Sequence, residues 1–220
     1  FFAMGAAGVI ASIGYAIALR RIVAGERRAS PARGNGRGWG IQNPAGFALL
    51  ASIGILDNAV RVGSLTFLPF LLTDKGLDAA GVSFLITLVF AFGAAGKLGC
   101  GLLADRFGNT GVIVVTEVVT AAALLAAIPA DPVLVVPVLA VLGFVGNGTS
   151  SALYSAVAEM VHVDRRAQGY GLYYTLSLGT GVLAPILLGA MADSVGIPGA
   201  FVAMAVIISL TLPLARVARL

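Results

Sequence analysis

The chain has 220 residues, of which 59% are hydrophobic and only 11% charged, under half the roughly 25% charge of soluble domains. That composition cannot cover a water-facing surface, and the formal net charge of +4 marks no nucleic-acid platform, because the basic residues fall in loops between apolar runs. A single cysteine, Cys100, excludes an internal disulfide framework.

A helix needs roughly 20 apolar residues to cross a bilayer. Seven runs reach that length, at about 1–19, 45–72, 80–104, 111–130, 132–158, 168–192 and 199–216. The predicted fold is all-α, a polytopic transmembrane helical bundle. The first run opens at Phe1-Phe2 with no basic flank, so it is not a signal peptide, and the chain reads as a fragment of a longer protein. The fourth run is rich in Val and Thr from Val112 to Thr120. In water it would suit a strand, but in lipid an open strand leaves backbone groups unpaired, so a helix is expected. Pro69, Pro137, Pro185 and Pro213 fall inside runs and are expected to kink them.

The arginines set the predicted orientation. Arg20, Arg21, Arg27, Arg28, Arg33 and Arg37 lie in the loop 20–44, Arg106 in the turn 105–110, Arg165 and Arg166 in 159–167, and Arg216 and Arg219 in the tail. The alternate connections, at about 73–79, 131 and 193–198, hold only Lys75. The basic side is assigned to the cytoplasm, with the N-terminus starting outside and the C-terminus ending inside. The segment 22–44 holds Ser30, Pro31, Gly34, Gly36, Gly38 and Gly40 among its arginines and reads as a flexible linker. Those arginines also suit lipid headgroups.

Charges inside spans cost about 2.5–3.5 kcal/mol each on insertion scales, so they need a reason. In the second span Asp57 and Arg61 stand four residues apart, on one helix face, with Asn58 adjacent. Arg61 suits an anionic solute group, with Asp57 as counter-charge or protonatable switch; the alternative is an intrahelical salt bridge that only stabilises the fold. Lys97 suits snorkelling to the interface. Glu117, two turns into the fourth span, is expected to be a structural partner for the turn before it. The fifth span carries Asn147-Gly-Thr-Ser-Ser151 and then Tyr154. Asn147, Thr149 and Tyr154 either hydrogen-bond a solute or, for the small polar run, pack helix on helix. Thr149 and Tyr154 point to different faces. Tyr170, Tyr173 and Tyr174 read as an aromatic belt at the interface rather than a solute cage. His162, beside Asp164, reads as a solvated loop histidine. With no His-Cys cluster, Ser-His-Asp set or phosphate loop, neither an enzyme, a metal site nor a cofactor is expected.

The stretch Lys97–Gly108 joins two spans through a tight turn. Its Gly101, Leu103, Ala104, Asp105, Arg106 and Gly108 resemble the signature loop of the major facilitator superfamily of secondary transporters. The pattern Gly-x-x-Ala-Asp-x-x-Gly recurs at 189–196, 88 residues on, an offset of three spans that would put the second copy on the opposite side. Other stretches agree: Phe67-Leu-Pro-Phe-Leu with Lys75-Gly76-Leu77 is similar to the seventh helix and its outer loop. Arg165-Arg-Ala-Gln-Gly169 with Gly171 resembles the loop into the eleventh helix, and Pro185, Gly189 and Asp193 its end. Asn109 and Thr110 stand where the family usually has basic residues, which weakens any gating that depends on those charges.

The resemblance implies a six-helix half built of two inverted three-helix repeats over 45–220. Residues 1–21 would be the last helix of a truncated N-terminal half, and 22–44 the central cytoplasmic linker. It implies alternating access around a midplane site, coupled to protons or ions, with Gly101, Asp105, Arg106, Gly108 and Glu117 as a conformational latch. The implied partners are a small solute, the bilayer and the missing half of the same chain, with no nucleic acid and a monomer at full length. The implied location is a bacterial inner membrane with the C-terminus cytoplasmic. Arg61 favours an organic anion, while the aromatic and apolar lining also suits multidrug or toxin efflux. A receptor or scaffold without a transport cycle would have no use for Asp57 and Arg61 in one span, and the polar residues form patches rather than a channel stripe.

Overall fold

The computed structural model describes residues 39–218. The predicted first span and the linker up to residue 38 lie outside the described residues. The rest is all-α: α1 (Pro44–Asp74), α2 (Ala79–Phe107), α3 (Asn109–Ala127), α4 (Val135–Met160), a 3-10 turn (Val163–Arg165), α5 (Arg166–Ser209) and α6 (Thr211–Ala218). Among the described residues, five helical stretches are long and apolar enough to cross a membrane. The Val-rich run at 112–120 is helical, as the lipid argument requires.

Local chemistry sets the helix ends. Asn43 accepts a hydrogen bond from Gly46 N at 3.0 Å, and Pro44 opens α1, where its missing N–H costs nothing. Asp78 caps α2 through Gly81 N at 2.8 Å. A single residue, Gly108 (φ 84°, ψ 151°), joins α2 to α3; such a backbone conformation is open to glycine and strained for other residues. Pro137 falls in the first turn of α4, which has no internal acceptor to lose, so it does not kink that helix. Pro213 lacks the N–H that would bond the Ser209 carbonyl, and the helix breaks there into α5 and α6.

The 44 residues of α5 would extend about 66 Å if straight, twice the roughly 30 Å hydrocarbon core. They are not straight. Gly196 (φ 79°, ψ 167°) interrupts the helix, and the chain turns back on itself. A Cβ placed on Gly63 of α1 would strike Leu188 Cδ1 and lie 3.1 Å from Met204 Sδ. Those two residues stand eight positions either side of Gly196, so the arms 166–195 and 197–209 must be folded against the same stretch of α1. The six-residue loop expected at 193–198 is a one-residue reversal, with Pro198 opening the second arm.

Alternate connections gather at opposite ends. At one end Gln42 N donates to Met160 O (3.0 Å), His162 N to Gly40 O (2.9 Å), and Asn109 Nδ2 to Glu159 Oε1 (3.0 Å). At the other, Lys75 Nζ donates to Ile128 O (2.6 Å) and Ala130 O (2.7 Å). The first arm of α5 runs parallel to α1: Tyr173 meets Gly54, Ser177 meets Asn58, and Leu188 meets Gly63. Gly108 and Gly196 therefore sit at opposite ends of the bundle with nearly the same backbone angles.

Helices α2 and α4 cross at backbone contact. A Cβ on Gly96 would strike the Phe144 carbonyl, and one on Gly143 the Val89 carbonyl. Small residues let membrane helices approach this closely, where dispersion rather than water exclusion holds them. Above and below mid-height lie two apolar clusters, one around Leu68, Leu72, Leu124, Leu139 and Met204, the other around Leu50, Ile53, Ile113, Leu153 and Val157. Between them α1, α3, α4 and α5 each contribute buried polar side chains.

Candidate functional site

That polar layer holds Asp57, Asn58 and Ser64 of α1, Thr116, Glu117 and Thr120 of α3, Asn147, Thr149 and Ser150 of α4, and Ser177 of α5, all buried. Buried polar groups are costly unless paired, so each bond in the layer bears on what the layer is for.

Asp57, Arg61, Ser64, Thr120 and Asn147 line one cavity in the interior of the bundle. Its volume is about 20 Å³, enough for roughly one water. Asp57 is 5% exposed, whereas Arg61 is only half-buried. The helical spacing thus brings the acid and the base to one place. It does not make the expected salt bridge: the Arg61 guanidinium donates from Nη2 to Asn58 Oδ1 instead. Residues three and four apart share a helix face, so spacing alone does not choose between these partners. Asn58 in turn donates from Nδ2 to Ser177 O at 2.7 Å, tying α1 to α5. Arg61 Nε and Thr120 Oγ1 are buried without a hydrogen-bond partner among the described residues.

Glu117 is not beside the signature turn. It is 1% exposed, both carboxylate oxygens are buried without a hydrogen-bond partner among the described residues, and it is within electrostatic reach of Asp57. The turn's own contact to α4 is the Asn109–Glu159 bond, so an amide keeps a link where the family pattern has a base. Asp105 and Arg106 are exposed, with Arg106 stacked 5.4 Å over the Phe107 ring. A Cβ on Gly101 would lie 3.9 Å from Ser151 Cβ, an ordinary contact.

Asn147 packs against Gly93 and donates to Gly143 O at 3.1 Å while lining the cavity. Thr149 is fully buried and bonded to Val145 O of its own helix at 3.0 Å, outside the cavity lining. Tyr154 is half-buried; its ring lies 6.0 Å from Tyr173 and 5.2 Å from Tyr174, and its carbonyl accepts from the Tyr170 hydroxyl at 2.7 Å. Tyr173 is 2% exposed against Gly54, one turn from Asp57, which no lipid-facing belt residue would be. Lys97 is exposed, and its carbonyl accepts from Ser151 Oγ at 2.9 Å. His162 is exposed and lies 3.4 Å from Asp164, as a solvated loop pair would.

Ser64, Thr120 and Ser177 join the layer without having been singled out in the sequence. A lone hydroxyl in a membrane helix gives little signal, because it can bond its own backbone, as Ser64 does to Arg61 O at 3.0 Å.

The sequence profile described as Major Facilitator Superfamily matches residues 45–219. The chain is 34% identical over 121 residues to "Uncharacterized MFS-type transporter YfnC" of Bacillus subtilis, covering 54% of this chain and 29% of that one. It is 26% identical over 181 residues to "Autophagy-related protein 22-1" of Penicillium rubens, and 26% over 182 to "Autophagy-related protein 22-2" of Emericella nidulans. Each of those two matches covers 75% of this chain and 31% of the relative. The matches thus span about a third of the length of these curated relatives.

Proposed function

This chain belongs to the Major Facilitator Superfamily, and from that premise we propose that it is the C-terminal half of an integral membrane transporter that moves a small solute by alternating access. On this reading the two arms of α5 are separate spans, which makes six crossings from α1 to α6. Residues 1–21 and 22–44 supply the last helix of the other half and the linker, and the basic end faces the cytoplasm. The Gly108 and Gly196 reversals, alike in backbone and opposite in position, support two inverted three-helix units.

The observation that carries the transport reading is the buried polar layer at mid-height, with an acid and a guanidinium on one cavity. Ionisable groups at that depth are expensive and mark pathways for solutes or protons. The cavity has room for water and none for an organic solute, so in this conformation its occupant is water or a proton. We assign Asp57 to proton coupling. The half-buried side of Arg61 anchors an anionic solute group, and the partly exposed rings of Tyr154, Tyr170 and Tyr174 flank its approach. Those rings also favour a second reading, efflux of planar drug-like molecules. Gly101, Asp105, Arg106 and Gly108 form the latch of the rocking cycle.

The test uses the full-length protein in proteoliposomes with an imposed proton gradient, screened against organic anions and drugs. Wild type accumulates its solute, and Asp57→Asn still exchanges solute but no longer accumulates it. An Asp57→Asn variant that keeps its full response to the gradient refutes the coupling. A receptor or scaffold would move no solute, and its Asp57→Leu/Arg61→Leu variant would melt at a higher temperature.

A further inference from the structure

We infer that Glu117 and Asp57 form a two-carboxyl proton site, joined across the bundle through the Thr120 hydroxyl and a water held in the cavity. The inference rests on the transport reading above and adds a second acid to it.

Three observations carry it. Glu117 is 1% exposed and both its oxygens are without a donor among the described residues. An ionised carboxylate without a donor is among the costliest groups an interior can hold, and a proton removes most of that cost. Second, Thr120 stands one turn from Glu117 on the same face of α3 and lines the cavity, its hydroxyl without a partner among the described residues. Third, Asp57 lines the same cavity, and its charge is in reach of Glu117. The cavity admits about one water, and Arg61 Nε, Thr120 Oγ1 and the Asp57 carboxylate give that water the two to four polar partners it needs.

The groups around the pair fit this role. Arg61 on α1, Tyr154 on α4 and Tyr173 on the first arm of α5 are in electrostatic reach of Asp57. Helix α2 and the second arm of α5 bring only apolar side chains, Val89 and Ile208, to the cavity. Thr120 Oγ1 bonds neither carboxyl in this conformation, and Glu117 lies behind the cavity lining; the Thr120 hydroxyl turned onto Glu117, with a water between it and Asp57, makes the relay. As the O–H bond of one carboxyl breaks, a proton moves along the relay and an O–H bond forms on the other. The proton comes from bulk water on one side and returns to it on the other, and no electrons are transferred. The fixed positive charge of Arg61 beside the cavity disfavours a metal cation there.

The experiment is a pH titration of the full-length protein in lipid, followed by the infrared C=O stretch of protonated carboxyls and by proton release to an indicator dye. Two interacting acids give up their protons in two steps. Wild type should show two steps, and Glu117→Gln should leave one, with one carboxyl band lost. Should Glu117→Gln fail to insert stably, Asp57→Asn gives the mirror measurement, with one step left and the remaining band belonging to Glu117. Thr120→Val should keep both bands and shift the frequency of one. A Glu117→Gln spectrum and titration identical to wild type overturn the inference, as does an Asp57→Asn protein with no titrating carboxyl band. No solute is needed, so the two readings fail separately. Two steps without transport of any solute remove the transport reading and keep the pair. One step in a proton-driven transporter removes the pair alone.

Discussion

Asn58 is the residue on which the site's geometry turns. It takes the Arg61 guanidinium on its carbonyl oxygen and gives its amide to Ser177 O across 119 positions of sequence. Asn58→Leu keeps the size, loses both bonds and frees Arg61. The expected cost is about 1–3 kcal/mol, read as a lower melting temperature of the full-length protein in detergent, while Ser52→Ala, an exposed hydroxyl bonded only to its own helix at Ala48 O, should change little. An Asn58→Leu protein as stable as wild type would mean that the α1–α5 tie does not hold the layer together. At this scale the sequence was legible only within a helix. The face shared by Asp57 and Arg61 follows from their spacing. Ser177 as partner of Asn58 does not, because nothing local records a contact made by tertiary packing. Glu117 was misplaced for the same reason: its distance along the chain from the signature turn is short, but its side chain faces the bundle interior.

At the scale of elements, the helices were legible because bilayer length and hydropathy dictate them, and the Val-rich α3 formed a helix against its propensity in water. The reversals were harder. The Gly-x-x-Ala-Asp-x-x-Gly repeat pointed to both Gly108 and Gly196, yet the connection at Gly196 is one residue rather than the expected six, since a glycine at φ 79° reverses the chain without a loop. Gly196→Ala should destabilise the protein by about 1–3 kcal/mol through backbone strain. Gly111→Ala is the control, helical with nothing within 4 Å of the added Cβ; it should be neutral or slightly stabilising. Thermal unfolding of the two variants side by side separates them, and equal melting points would contradict the reversal. Tyr173 shows the limit of aromatic patterning. Near a predicted interface it reads as a belt residue, but the close approach permitted by Gly54 lets it pack inward.

Across the described bundle, the arrangement is two apolar clusters with a polar layer between them and alternate connections at opposite ends. The alternation was legible in the arginines, which spare one set of loops. The layer was legible only in pieces: Asp57, Asn58, Glu117 and Asn147 stood out in their own runs, but Ser64, Thr120 and Ser177 did not, and nothing local joins members from four helices. A layer of this kind is costly in a static bundle and useful in one that opens to each side in turn. The most direct test of that claim is access to Ser64, a small residue lining the cavity and 7% exposed. The full-length protein carrying Ser64→Cys and Cys100→Ser would be treated in oriented vesicles with a membrane-impermeant methanethiosulfonate, applied to either face under proton gradients of either sign. The account predicts labelling from both faces, in proportions that change with the gradient. No labelling from either face under any gradient would contradict it.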